Sequence, residues 1–133
     1  MTGRKKKISN LRGKGIPITT TTFTDVDEVK DRLKEKCDVE LDLHDPEPEP
    51  GTNILNAHAV AVMEIRKYEN KNQNRSSYEI RFKDDPKQGH PNTGMERGRT
   101  ATVRYNPANQ TFYNHPEFQG WQLTFVVAEC KAP

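Results

Sequence analysis

The chain of 133 residues is long enough for one domain. Its apolar content of 32% is low and its charged content of 30% is somewhat high, so we expect a modest core. No apolar run approaches the roughly 20 residues that a membrane-spanning helix needs, and the N-terminus lacks the apolar segment of a secretory signal. We therefore expect no membrane partner and a cytoplasmic or virion-associated protein.

The net charge of +2 conceals a strong segregation of charge along the chain. Residues 25–49 carry eleven acids against four bases, whereas residues 1–15 carry no acid and six bases, namely Arg4, Lys5, Lys6, Lys7, Arg12 and Lys14. A basic flexible arm of this kind neutralises phosphates by releasing counterions, which predicts binding to RNA or another nucleic acid. A solvated tail, or one docked on the acidic segment of its own chain, is the competing interpretation.

After this arm, residues 16–133 are expected to form a single domain. The segment "IPITTTTF", residues 16–23, is β-prone because of its Ile and Thr content. Val26, Val29 and Leu33 recur at helical spacing and predict one short amphipathic helix over residues 25–36, with Thr24 and Asp27 in the positions of a capping box. "VELDL", residues 39–43, then alternates as a strand does, and the prolines of residues 44–51 end it.

Two further strands are predicted over residues 57–68 and 77–83, and each contains Glu-Ile-Arg. Antiparallel pairing with Tyr68 opposite Ser77 places Arg66 opposite Glu79 and Glu64 opposite Arg81, so opposite charges coincide. The same pairing places Ile65 opposite Ile80 and Met63 opposite Phe82. A slip of two residues either way creates like-charge pairs, so the repeat helps to fix the register.

The rest of the chain continues the strand pattern. Residues 84–98 form a long loop rich in Pro, Gly and Asn, and "RTATVRY", "QTFY" and "WQLTFVVAEC" follow as strand-like segments. The predicted fold is α+β, with one short N-terminal helix packed on an antiparallel sheet of about five strands and a basic N-terminal arm. Cys37 and Cys130 either pair or stay apart, and neither belongs to a recognised metal motif, so we predict no metal and no cofactor.

Groups able to act on a phosphodiester are concentrated in the second half of the chain. They are Glu64, Arg66, Glu79, Arg81, Arg99, Arg104 and His115. A carboxylate and a histidine that meet across a sheet can serve as base and acid, while arginines stabilise the charge that gathers on phosphorus. The alternative interpretation, without catalysis, is a solvent-exposed sheet face that carries ion pairs.

The order of "YEIRF", a glycine-bearing loop, "GRTATVRYNPANQTFYNH" and a last apolar strand ending near a cysteine resembles the small microbial ribonucleases over residues 57–130. The resemblance implies a metal-independent endoribonuclease that forms a 2′,3′-cyclic phosphate. Glu79 would take the proton of the 2′-hydroxyl and His115 would protonate the leaving oxygen. Arg99, with Arg104 as its rival, and Arg66 would hold the phosphate.

Two other functions explain the sequence without catalysis. A nucleic-acid-binding assembly protein, such as a small viral coat or virion component, would use the arm on packaged nucleic acid and the sheet for contacts in a homo-oligomer or larger assembly. A protein-binding inhibitor or immunity-type module would use its acidic segment to mimic nucleic acid.

Overall fold

The computed structural model describes residues 17–84 and 100–132. Their elements are β1 (Ile18–Phe23), α1 (Asp27–Lys34), β2 (Asp38–His44), β3 (Ala57–Asn70), β4 (Arg75–Asp84), β5 (Thr100–Asn106), β6 (Thr111–Tyr113) and β7 (Gln122–Lys131). One short helix and an antiparallel sheet in these residues confirm the α+β class, but the sheet that they form has seven strands rather than about five. The predicted basic arm, residues 1–15, lies outside the described part of the chain.

The sheet closes on itself. Its strand order is β1-β7-β2-β3-β4-β5-β6, and β6 pairs in addition with β7, where Thr111 lies opposite Gln122. Strands β2 to β7 therefore form a closed ring, and β1 pairs with the C-terminal part of β7, from Val126 to Lys131. Closure gives the strands an inner face, which holds the core, and an outer face.

The core consists of the inward-facing side chains of this ring. Val39, Leu41 and Leu43 of β2 are buried as predicted, together with the inward residues of the other strands. Glu40 and Asp42, which the alternation places on the other face of β2, are buried too. Helix α1 contacts β2 and β3 and buries Val29, while Val26, which precedes it, joins the same core. The helix therefore adds apolar volume to the ring rather than covering a flat sheet.

The helix begins two residues later and ends two residues earlier than predicted. Val26 occupies the N-cap position without a side-chain cap, so the capping box expected from Thr24 is not formed. Instead, the Asp25 carboxylate accepts a hydrogen bond of 2.9 Å from the backbone N–H of Asp27. Lys36 follows the helix at φ 65°, where the backbone turns into β2.

The predicted register of the β3–β4 hairpin is confirmed except at one pair. Arg66 lies opposite Glu79, Glu64 opposite Arg81 and Ile65 opposite Ile80. Phe82, however, lies opposite Val62 rather than Met63, because the register shifts by one residue between Val62 and Glu64. Met63 is the extra residue of this β-bulge and is 48% exposed. The inward-facing residues of β3 therefore switch from even-numbered positions before the bulge to odd-numbered positions after it.

A disulfide joins Cys37, just before β2, to Cys130 near the end of β7, with 4.4 Å between the two Cα atoms. The sequence left this pairing open. The structure shows why it forms, since β2 and β7 are neighbours and Asp38 lies opposite Glu129. The bond ties together two positions that are 93 residues apart in the chain.

Candidate functional site

The outer face of β3, β4 and β5 carries the charged residues that the sequence analysis singled out. Glu64 accepts a hydrogen bond of 2.7 Å from Arg66 Nε on its own strand and lies 3.4 Å from Arg81 Nη2. The hydrogen bond from Arg66 holds the pKa of Glu64 below its ordinary value. These residues are half-exposed, and they form the solvent-exposed, ion-paired sheet face that needs no catalytic role.

Glu79 stands on the same outer face but has a different partner. Its carboxylate lies 3.6 Å from Arg104 Nη1 on β5, where the two residues are opposite in the ladder. Arg66 is opposite Glu79 on the other side, as predicted, although its Nε donates to Glu64. The structure thus brings together Glu79, Arg66 and Arg104.

His115 does not join this group. It is 7% exposed, and its ring stacks on Phe118 at 4.7 Å and contacts Phe82 at 5.7 Å between centroids. Phe82 is fully buried on the inner face of β4, whereas Glu79, an odd number of residues away on the same strand, points outward. Glu79 and His115 therefore lie on opposite faces of the sheet and do not converge on one phosphate.

The position of His115 follows from the loop after β6. Its Nδ1 accepts a hydrogen bond of 3.1 Å from the backbone N–H of Glu117, and Phe118 packs between it and His58. An aromatic cluster of this kind needs apolar surroundings, which the inside of the ring supplies. Arg99 and the six bases of the arm lie outside the described residues.

An open groove of about 840 Å³ lies next to the charged face. It lies between the outer end of the β3–β4 hairpin and the turn from β5 to β6. Polar and aromatic side chains line it, among them Tyr68, Tyr113, Asn70, Asn74, Arg75 and Asn106. We call this concavity the tyrosine groove.

Local geometry explains why these side chains face the groove. The hairpin turns at residues 71–74, where Asn74 adopts φ 50°, a left-handed conformation that asparagine tolerates better than most residues. The opposite wall begins where Asn106 Oδ1 accepts a hydrogen bond of 3.0 Å from Ala108 N–H, which shapes the turn before β6. Two independent turns thus hold the walls apart.

Arg104 borders the tyrosine groove and connects it to the charged face. Its guanidinium lies over the Tyr68 ring, 4.6 Å from the centroid, and donates a hydrogen bond of 3.2 Å to Ser77 Oγ. The hydrogen bond with Tyr113 raises the pKa of Arg104 further above its ordinary value. Arg104 therefore stays charged and is held between Tyr68, Tyr113, Ser77 and Glu79.

Sequence reasoning named Arg104 but missed both tyrosines and the amide side chains of the groove. Tyr68 on β3 and Tyr113 on β6 are 45 positions apart, and their strands are brought together by the successive pairings of β3 with β4, β4 with β5 and β5 with β6. The sequence contained part of the signal for this groove. Tyr68 falls on the same face of its strand as Arg66, and Arg104 falls opposite Glu79. What the pattern lacked was the order of the strands.

One set of potential metal ligands occurs in the described residues. Glu35, Cys37 and Cys130 place ligand atoms within 4.8 Å of one another. Because the two sulfurs are bonded in the disulfide, they are not the thiolates that zinc prefers.

Comparisons with protein-family models, with curated proteins and with solved structures found no match. The resemblance to small microbial ribonucleases therefore stays a prediction. Among the described residues, no helix has the length and apolar character required to cross a membrane.

Proposed function

We propose that the protein binds single-stranded RNA in the tyrosine groove and holds it without cleaving it. The observation that carries the proposal is the Arg104 guanidinium stacked on Tyr68 at the border of a groove that also contains Tyr113. Single-stranded RNA is commonly recognised by stacking unpaired bases on aromatic rings and on arginine guanidinium planes.

Stacking supplies the first part of the interaction. Tyr68 is 42% exposed, and Tyr113 lines the same groove from the opposite wall. A base stacked on an aromatic side chain contributes about 1–3 kcal/mol. Two such rings in a groove of about 840 Å³, within the volume range of small-ligand sites, suit an unpaired nucleotide better than a rigid duplex.

Hydrogen-bonding groups supply the second part. Asn70, Asn74 and Asn106 offer amides that can both donate to and accept from base edges, and Ser76 and Ser77 offer hydroxyls for sugar contacts. Asn106 is oriented by its hydrogen bond from Ala108 N–H. A site with this many neutral hydrogen-bonding groups fits a nucleotide better than it fits an apolar ligand.

Cationic groups supply the third part. Arg75 lines the groove and Arg104 borders it, and both can contact phosphate oxygens. The six bases of residues 1–15 would add a sequence-independent attraction to the same backbone. Affinity should then fall as salt concentration rises, with both regions contributing to the slope.

The proposal is one of binding because the base and acid of the predicted cleavage reaction do not meet. Glu79 is ion-paired with Arg104 on the outer face, and His115 is buried among Phe82 and Phe118 on the inner face. The endoribonuclease activity implied by the resemblance stays a prediction, and the positions of Glu79 and His115 on opposite faces of the sheet do not support it.

Fluorescence anisotropy with a labelled single-stranded RNA of mixed sequence tests the proposal. Tyr68→Ala should weaken binding about 10-fold or more, since it removes a stacking surface and the support for Arg104. Lys30→Ala, which removes an exposed positive charge from α1, serves as the control and should change affinity little. Wild-type affinity in Tyr68→Ala, with its thermal stability intact, would contradict the proposal.

Gel analysis of the same RNA after long incubation separates binding from cleavage. We expect the RNA to remain intact at every protein concentration that saturates binding. Products with 2′,3′-cyclic phosphate ends that disappear in Glu79→Gln would instead support the ribonuclease prediction. A duplex of the same sequence should bind more weakly than the single strand, because paired bases cannot enter the groove.

A further inference from the structure

The threonine run of β1 lies at an edge of the sheet. Strand β1 pairs with β7 along its whole length, from Ile18 opposite Lys131 to Phe23 opposite Val126. No strand of residues 17–84 and 100–132 pairs with its other edge. Thr19, Thr20 and Thr22 are exposed.

The backbone polarity of that edge follows from one hydrogen bond. Ala132 N–H donates to the Pro17 carbonyl oxygen at 3.1 Å, so residue 17 directs its carbonyl group toward β7. In an antiparallel pair, alternate residues direct both N–H and C=O to the same side. Ile18, Thr20 and Thr22 therefore direct their N–H and C=O groups away from β7.

The sequence of β1 contains none of the features that usually protect an edge strand. Such strands commonly carry a charge, a proline or a bulge that prevents another strand from pairing with them. "ITTTTF" has no charge and no proline, and its pairing with β7 shows no register shift. Its four threonines are β-branched and favour the extended conformation.

We propose that two copies of this chain pair through β1, antiparallel, about a two-fold axis that passes through Thr20. In this arrangement Thr20 lies opposite Thr20 of the second copy, and Ile18 lies opposite its Thr22. Each of these three residue pairs can exchange two hydrogen bonds, so every outward N–H and C=O group of β1 gains a partner. Thr19 then lies opposite Thr21, which adds cross-strand threonine contacts.

A second copy fits this edge for two reasons. The outward residues are spaced symmetrically about Thr20, so the edge is complementary to itself under a two-fold axis. The edge is also uncharged, so two identical edges meet without like-charge repulsion. A contact of six residues a side is small, so we expect a dimer that dissociates on dilution.

Sedimentation analysis from micromolar to millimolar concentration tests this proposal. The wild-type protein should shift from monomer to dimer over that range. Thr20→Lys should remain monomeric, because the two-fold axis brings the two new lysines face to face. Asn53→Lys, which adds the same charge in the exposed loop between β2 and β3, should dimerise as the wild type does.

Amide hydrogen exchange identifies the surface. The amides of Ile18, Thr20 and Thr22 should exchange more slowly as protein concentration rises, whereas the amides of Thr19 and Thr21, already directed toward β7, should change little. Three results would overturn the proposal: a monomer at all concentrations, a dimer in which those three amides exchange at an unchanged rate, or Thr20→Lys dimerising as strongly as Asn53→Lys. The first of these results includes a monomer that binds an extended peptide at β1 instead of a second copy.

Discussion

Asp27 connects the start of α1 to the hairpin. Its carboxylate accepts a hydrogen bond from the Tyr78 hydroxyl and lies 3.2 Å from Lys67 Nζ. The hydrogen bond from Tyr78 is the main cause that lowers the pKa of Asp27; burial opposes it, and Lys67 adds a further lowering. The position in the first turn is also favourable for an acid, because backbone N–H groups of the helix point toward it.

We predict that Asp27→Asn lowers the free energy of unfolding at neutral pH by about 1 kcal/mol, a modest value because the group is half-exposed and screened. Because the folded-state pKa is lowered, this stabilisation is complete above about pH 4 and is lost as the pH falls through the folded-state value. Urea denaturation at neutral pH and near pH 2 measures the difference, which should shrink in acid.

Asp31→Asn provides a control on the same helix, since Asp31 is exposed. It should lower the free energy of unfolding less than Asp27→Asn does. An equal loss in both variants at neutral pH would mean that helix charge in general, rather than the contact with Tyr78, causes the effect.

At the scale of single residues, the sequence predicted which charged side chains lie opposite one another, but it did not predict the environment of His115. It identified Arg104 and placed Arg66 opposite Glu79, because strand alternation and charge matching act locally. It could not place His115, because a histidine after a strand can face either water or the core. The loop that follows β6, with Phe118 packed inward, decides this, and no local pattern encodes that packing.

Strand β3 shows how one residue alters an element. Before the bulge, Val60 and Val62 face inward, and after it Ile65 does, although the distance from Val62 to Ile65 is odd. Met63 is the extra residue of the bulge, and it is exposed on the outer face. The hairpin register could be predicted from sequence because it depends on paired charges. The bulge could not, because it depends on which face of the early part of β3 points into the core.

We predict that deletion of Met63 leaves the protein folded. Val62, Glu64 and Ile65 would then alternate regularly in, out and in, with both halves of the strand keeping their partners. A loss of roughly 1–2 kcal/mol in the free energy of unfolding, the range of many single changes, is expected, because bulges increase the twist that ring closure uses. Thermal unfolding followed by circular dichroism measures it.

Deletion of Ala61 is the matched control. It removes one residue from a regular part of the same strand and would turn either Val60 or Val62 out of the core. This variant should fail to fold or unfold at a much lower temperature. Equal stability of the two deletion variants would show that the bulge is not what sets the inward face.

At the scale of the whole molecule, the described strands form a ring that a disulfide bond reinforces. The Cys37–Cys130 disulfide encloses most of the described chain, since the two cysteines are 93 residues apart. Closing a loop of that length restricts the unfolded chain, an effect of about 2–4 kcal/mol in typical proteins. Disulfides are most common in proteins of oxidising environments, and the cytoplasmic or virion-associated location stays a prediction.

We predict that reduction with dithiothreitol lowers the free energy of unfolding of the wild-type protein by about 2–4 kcal/mol. The double variant Cys37→Ser with Cys130→Ser should show this loss without reductant and should not respond to dithiothreitol. A wild-type protein equally stable with and without reductant would exclude the stabilising role of the bond.

The sequence predicted the α+β class and most strand segments, because these depend on alternation and on one amphipathic helix. It did not give ring closure, which depends on Thr111 meeting Gln122 across the short strand β6. It also did not give the tyrosine groove, which exists only once the β3–β4 hairpin and the β5–β6 turn are side by side. Long-range strand order is the information that local patterns lack.

The hydrogen bond between Ala132 and Pro17 brings the first and last described residues together. A short linker from residue 132 to residue 17 would therefore span almost no distance, and new chain ends could be opened at the exposed turn around Gly51. Such a circular permutant should keep the ring of strands and the groove. Its β1 would then lie in the interior of the sequence, joined directly to β7 as a hairpin.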